Sequence, residues 1–314
     1  MASNKRSLGR SGIDIAPVVF GGNVFGWTAD EKRSLELLDR FVERGFNAID
    51  TADSYSVWAP GLVGGESERL LGEWLARRGR RDDIVLMSKV GMLPDREGLS
   101  AANIEKALDD SLKRLNTDYL DVYFAHIDDE KVPLAETLGA FSRLIEAGKV
   151  RTIGASNYSP QRLQEALAVA KKENLPRYEV IQPLYNLYDR QDFEGKLASV
   201  AEQNDLGVVS YFSLASGFLT GKYASVEDLQ GSSRAALMEK YFDERGQRLL
   251  KELIAVAEEL GVRPAQVALA WLIGRSGVTA PIASATTLTQ LEEILGAVDV
   301  SLTEEVVARL DSVA

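Results

Sequence analysis

The chain has no cysteine and only one histidine among its 314 residues. Without thiols it can form no disulfide, no thiolate metal site and no cysteine nucleophile, a pattern that fits a reducing compartment. With His126 alone, a metal site would have to be built from carboxylates, and no carboxylate cluster has ligand spacing, so no metal is expected. There is no apolar run long enough to span a bilayer. The opening "MASNKRSLGR" lacks the apolar stretch of an export signal, so the expected location is cytoplasmic, with no membrane partner. Basic residues are also in deficit. Against 47 Asp and Glu stand 36 Lys and Arg, a net charge of −11. Nucleic acids and anionic membrane surfaces need basic faces, so neither is expected as a partner.

What is present is the composition of a globular chain, 45% hydrophobic and 26% charged, with 26 glycines for tight turns. After a short hairpin-like opening, "SLGRSGIDIAP", apolar runs of strand length alternate with helical patterns. The runs are "VVFGG" at 18–22, "FNAID" at 46–50, "IVLMSK" at 84–89, "DVYFAH" at 121–126, "RTIGAS" at 151–156, "VIQP" at 180–183, "GVVSY" at 207–211 and "PIASA" at 281–285. They are nearly continuous in apolar residues, as strands buried on both faces of a parallel sheet should be. Between them, segments such as "DEKRSLELLDRFVERG" and "SAANIEKALDDSLKRL" repeat apolar residues at helical spacing, with Asp30 and Ser100 as N-caps and Gly45 and Gly148 closing two helices. Strand then helix, eight times, predicts an α/β fold of the (β/α)8 TIM-barrel type, with a doubly wound sheet as the competing architecture. The longest connection, between Tyr211 and Ser284, holds a polar loop near 224–246 and two helical patterns. Long loops of this kind often serve as lids or binding loops. No linker or change of composition divides the chain, so a single domain over 1–314 is expected.

In such a barrel, residues at the C-terminal ends of the strands converge on one face. Those positions deliver Asp50, Lys89, His126, Ser156, Asn157, Gln182, Tyr211 and Ser284, with Tyr55 five residues beyond Asp50. Polar groups at the ends of apolar strands are costly unless they pair with each other or with a ligand. A Tyr hydroxyl titrates near about 10. A neighbouring ammonium favours the phenolate, and a carboxylate would fix that ammonium in turn. Tyr55, Lys89 and Asp50 can therefore form a proton relay, with His126 orienting a substrate oxygen. Such a relay suits a carbonyl oxygen that gains a proton as hydride reaches carbon, and the hydride must come from a cofactor. Each residue also has a plainer account. Asp–Lys pairs across strand ends are commonly structural, and Tyr55 alone could be a packing aromatic. Trp74 and Trp271 lie on helical apolar faces and are read as core. Trp27 and Trp58, in the loops after the first two strands, are candidates for the substrate pocket.

Standard phosphate motifs fail. "GGNVFG" lacks the G-x-G-x-x-G spacing, and "GFLTGKY" has three residues between its glycines where a P-loop has four. A Gly-rich backbone beside Lys222 can still cradle a pyrophosphate.

Taken in order, "GFNAIDTADSY", "GESERLLGEWL", "LDVYFAH", "GKVRTIGASNYSP", "IQPLYN", "SLASGFLTGKY" and "PAQVALAWLI" resemble the aldo-keto reductase superfamily over roughly residues 6–300, and its bacterial branch in particular. The resemblance implies a barrel that binds NADP(H) without a Rossmann domain and interconverts a carbonyl compound (aldehyde, ketone or sugar-like) and an alcohol. It implies a catalytic tetrad of Asp50, Tyr55, Lys89 and His126, with Tyr55 the proton donor. It places Ser156, Asn157 and Gln182 at the nicotinamide carboxamide, Tyr211 on the nicotinamide ring, and Ser213, Leu214, Gly217, Leu219 and Lys222 along the pyrophosphate. Gly22, Asn23, Asp50, Ser284, Thr286, Gln290 and Glu293 complete the implied cofactor set.

Two departures stand out. "SVWAPGLVG" is inserted after "DTADSY", reshaping the substrate pocket, and Ala283 and Thr286 stand where the family commonly has a proline and a basic residue for the 2′-phosphate. NADP(H) remains favoured and NAD(H) possible. A second reading is a cofactor-binding module resembling the β subunits of potassium channels. A phosphosugar isomerase or aldolase would need phosphate-binding loops after the seventh and eighth strands that the sequence lacks. The sequence names neither the substrate nor the oligomeric state.

Overall fold

A computed structural model describes residues 5–314. Eight parallel strands close into a barrel: β1 Val19–Gly21, β2 Ala48–Asp50, β3 Val85–Val90, β4 Leu120–Ala125, β5 Val150–Ser156, β6 Val180–Gln182, β7 Gly207–Ser210 and β8 Ala280–Ala283. Each strand pairs with its neighbours in chain order, and β8 pairs with β1. The doubly wound alternative is thereby excluded. Six helices follow the first six strands: α1 Glu31–Glu43, α2 Glu66–Arg78, α3 Ala101–Leu115, α4 Leu134–Glu146, α5 Pro160–Lys172 and α6 Lys196–Gln203.

The apolar runs locate every strand to within two residues at either end. One difference affects a site residue: β3 runs on to Val90, so Lys89 lies inside the strand and not just past it. Ladder hydrogen bonds, not side-chain polarity, decide where a strand ends, and its last residues fray between definitions. Asp30 and Ser100 cap α1 and α3 by accepting from the Arg33 and Asn103 amides. Gly45 and Gly148 take left-handed φ values of 87° and 72° where the chain leaves α1 and α4.

Inside the barrel, Val19, Ala48, Val85, Met87, Val122, Phe124, Val180, Val209 and Ile282 form an apolar cluster. An antiparallel hairpin, Arg6–Ser7 against Asp14–Ile15, adds Leu8, Ile13 and Ile15 to that cluster. A larger cluster fills the layer between strands and helices, and Trp74 and Trp271 lie buried in it as core.

The connection after β7 is not structureless. It contains 3-10 turns at Ala215–Thr220, Val226–Leu229 and Glu239–Tyr241, the short helix α7 Ala235–Met238, and the long helices α8 Glu244–Leu260 and α9 Pro264–Ile273. Leu229, Met238 and Tyr241 are buried, which anchors the segment 224–246 to the barrel and explains its order despite its polar composition. Helices α10 Leu288–Gly296 and α11 Glu304–Val313 complete the chain. Among the described residues, no helix is long and apolar enough to cross a membrane.

Candidate active site

At the barrel mouth, register brings the second and third strands together so that Asp50 pairs with Met87 and Lys89 lies two residues further along β3. Lys89 is fully buried. Its ammonium donates to Asp50 Oδ2 at 2.6 Å, to the Thr51 carbonyl at 2.8 Å and to the Tyr55 hydroxyl at 2.7 Å. All three of its protons are thus engaged. The Tyr55 hydroxyl donates in turn to Asp50 Oδ2 at 3.2 Å, and Gln182 Nε2 donates to Asp50 Oδ1 at 2.9 Å. His126 stands edge-on to Tyr55, with ring centroids 6.1 Å apart and a buried Nδ1 that has no hydrogen-bond partner.

Electrostatics here differ from the sequence expectation. Burial pushes the Tyr55 phenol well above its usual range, and the Asp50 carboxylate that it contacts adds to the rise. The Lys89 ammonium, 2.7 Å from the hydroxyl, does not outweigh that rise. Burial lowers Lys89, opposed by Asp50, Asp53 and Glu68. Burial also holds His126 well below its ordinary value, with Lys89 adding to the effect. The resting site therefore holds a protonated phenol and a neutral imidazole.

The other strand ends join the same network. Ser156 Oγ donates to the Gln182 carbonyl at 2.8 Å. Asn157 Nδ2 donates to the His126 carbonyl at 2.8 Å, and Asn157 Oδ1 accepts from the Tyr211 hydroxyl at 2.8 Å. Gly22 packs so closely that a Cβ would lie 2.8 Å from Ser67 Oγ. Its neighbour Asn23 accepts through Oδ1 from Ser284 Oγ at 2.7 Å, tying β1 to the end of β8.

Beyond β7 the backbone turns left-handed at three successive residues: Ala215, Ser216 and Gly217, with φ 47°, 59° and 115°. Runs of this kind form concavities that suit anions. Ser213, Leu214 and Leu219 flank the turn, Ser213 and Leu219 buried, and the Ser216 hydroxyl is buried with no partner. Lys222 lies over the Tyr223 ring at 4.6 Å, and Arg234 over the Trp27 ring at 5.6 Å. Among the described residues neither cation has a carboxylate within ion-pair distance. The sequence pattern does not single out Arg234, which looks like one more loop arginine in "GSSRAAL". Burial lowers its pKa, and the Tyr223 phenol opposes that. An orphaned hydroxyl, a left-handed turn and two unpaired cations fit a pyrophosphate.

After β8, Thr286 donates from both its amide and its hydroxyl to Gln290 Oε1, at 2.9 and 3.0 Å. Gln290 is thus held at the first turn of α10. Glu293 is half-buried, and burial raises its pKa against the pull of Arg263. From Ser284 to Glu293 the chain has no Lys or Arg. Trp27 and Trp58 meet edge to face at 5.7 Å, and Trp58 meets Tyr55 in the same way at 5.6 Å. Both loop tryptophans therefore stand beside the site. Among the described residues, no group of three or more His, Asp or Glu could hold a metal ion.

A closed barrel of parallel strands with its polar network at the C-terminal mouth defines a (β/α)8 enzyme scaffold. The chain belongs to the aldo/keto reductase family, whose profile matches residues 17–314. It is 34% identical to "Uncharacterized oxidoreductase YrpG" of Bacillus subtilis (strain 168), over 98% of this chain and 94% of that protein. It is 35% identical to "Probable voltage-gated potassium channel subunit beta" of Oryza sativa subsp. japonica, over 98% and 95%. It is 32% identical to "Protein tas" of Escherichia coli (strain K12), over 96% and 95%. The family is one of oxidoreductases that generally use NAD(P)H and act on small molecules.

Proposed function

We propose that the chain is an NAD(P)H-dependent carbonyl reductase, running reversibly as an alcohol dehydrogenase, in which Tyr55 passes its proton to the substrate oxygen. The observation that carries this reading is the Tyr55 hydroxyl, bonded at once to Lys89 and Asp50 and flanked by His126. A bound nicotinamide supplies the hydride. As negative charge develops on the carbonyl oxygen, the phenol proton moves onto it, and the Lys89 ammonium stabilises the phenolate left behind. Asp50 keeps Lys89 charged and in place, and Gln182 holds the other Asp50 oxygen. Neutral His126 orients the substrate oxygen without competing as an acid.

Ser156, Asn157 and Gln182 would hold the carboxamide, and Tyr211 the nicotinamide face. The turn from Ser213 to Leu219, with Lys222 and Arg234, would hold the pyrophosphate. Ser284, Thr286, Gln290 and Glu293 would line the adenosine end. NADP(H) is favoured because residues 284–291 carry no carboxylate to grip a bare ribose diol, with NAD(H) possible. A second reading is a cofactor-binding module resembling the β subunits of potassium channels, the kind of protein the rice relative is named as. Nicotinamide absorbance during incubation with an aldehyde separates the two. Turnover supports the reductase, and tight cofactor binding with no turnover of any carbonyl supports the module.

A further inference from the structure

Several of the large apolar side chains exposed on this protein follow barrel strands at their C-terminal ends. Trp58 is 47% exposed, Val63 70%, Met92 41% and Ile127 39%. Each follows a barrel strand at its C-terminal end: Trp58 and Val63 in the loop after β2, Met92 in a short hairpin (Met92–Leu93 against Arg96–Glu97) after β3, and Ile127 after β4. Where exposed apolar groups adjoin a polar site they can line a binding groove, and Trp58 adjoins Tyr55.

The inserted segment Ser56–Gly64 builds the centre of this rim and is held firmly. Successive turns bond the Val57, Ala59 and Leu62 amides to the carbonyls of Ser54, Ser56 and Ala59. The Glu66 carboxylate accepts from the Val63 and Gly64 amides. Gly64 seats so tightly that a Cβ would lie 2.7 Å from Leu93 and 2.9 Å from the Asp53 carbonyl. Trp58 is thereby held in edge-to-face contact with both Tyr55 and Trp27, and it remains half-exposed.

Nearby carboxylates are already committed. Glu66 takes the loop amides and Arg69, Asp128 takes Arg162, and Asp129 takes the Leu99 and Lys131 amides. A sugar can also lay its ring on a tryptophan, but its hydroxyls need free acceptors, and these carboxylates are already taken.

Resting on the reductase reading above, we propose that the carbonyl compound reduced here carries an aryl or similarly planar apolar group, seated on the free side of Trp58, and that hydroxylated, sugar-like carbonyls are poor substrates. Trp58 is the specificity-determining residue. Because it is half-exposed, replacing it does not threaten the core.

The test compares kcat/KM for benzaldehyde and naphthaldehyde with that for glyceraldehyde, using propanal as a small reference, in the wild type, Trp58→Ala and Trp58→Phe. Cofactor titration of each variant reads its folding. The wild type should prefer the aryl aldehydes over glyceraldehyde. Trp58→Ala should lower the aryl-to-propanal ratio about tenfold or more, mainly through KM, and Trp58→Phe should restore most of it. A wild-type preference for glyceraldehyde, or an aryl-to-propanal ratio unchanged in Trp58→Ala, overturns the assignment. Equilibrium dialysis of naphthaldehyde against the cofactor-loaded protein separates the two levels. Binding that depends on Trp58 with no turnover sinks the reductase reading and sustains the pocket, whereas turnover with binding indifferent to Trp58 does the reverse.

Discussion

Asp53, three residues beyond Asp50, is only 1% exposed, and neither of its carboxylate oxygens has a hydrogen-bond partner. Burial, reinforced by the buried Glu68 carboxylate, pushes its pKa up to about 7. The Arg114 and Arg96 guanidiniums and the Ser54 amide pull the other way without cancelling the rise. In the unfolded chain the same carboxyl titrates near about 4. The folded state therefore binds the proton more tightly, and between about pH 4 and pH 7 it carries more protons than the unfolded state. Stability from this group is fully present below about pH 4, falls as pH rises, and is gone above about pH 7. A rise from about 4 to about 7 corresponds to about 4 kcal/mol in all, of which about 3 kcal/mol is lost between pH 5 and pH 8.

Asp53→Asn keeps the shape and removes the titration. Every other ionisable group is common to both proteins, so the difference in their stabilities isolates residue 53. Urea unfolding followed by tryptophan fluorescence should show the variant gaining on the wild type by about 3 kcal/mol from pH 5 to pH 8. A difference that stays flat over that interval would mean that Asp53 does not change charge there, and the burial argument fails.

Tyr55→Phe should cut turnover about 10²–10⁴-fold and leave cofactor binding nearly intact, since only the transferable proton is lost; retention of half the wild-type rate would show that another acid does the work. Lys89→Met leaves Asp50 buried without its cation, so stability should drop by about 3–5 kcal/mol in urea melts. The same variant should shift the acidic group in the pH–rate profile upward, because the phenolate loses its stabilising charge. Adding Asp50→Asn to Lys89→Met should recover part of the stability, since the second substitution removes the stranded carboxylate. Thr286→Arg should tighten NADPH roughly tenfold or more and leave NADH almost unchanged, as a charge-assisted bond replaces a neutral hydroxyl. An equal response of the two cofactors, read by quenching of protein fluorescence, would place Thr286 away from the 2′-phosphate.

The barrel was legible because its signal is repeated: eight apolar runs, each followed by a helical pattern or a long connection, admit few topologies. The polar group at the barrel mouth was legible for a related reason. Polar residues at the ends of buried strands have little to pair with except one another, and Asp50, Lys89 and Gln182 do pair. What composition and spacing do not carry is the balance between charge and burial at one atom. "DTADSY" shows an ammonium within reach of Tyr55 once β2 and β3 are adjacent, which argues for an easier phenolate. The depth of the hydroxyl and its contact with Asp50 reverse the direction, and both follow from packing around the whole mouth. Arg234 and Asp53 were hidden in the same way. Each looks like an ordinary loop charge, and each is unusual only because the fold brings no opposite charge into contact with it. A missing partner is a property of every element that could have supplied one, so it emerges only when the helices and loops around the mouth are all in place.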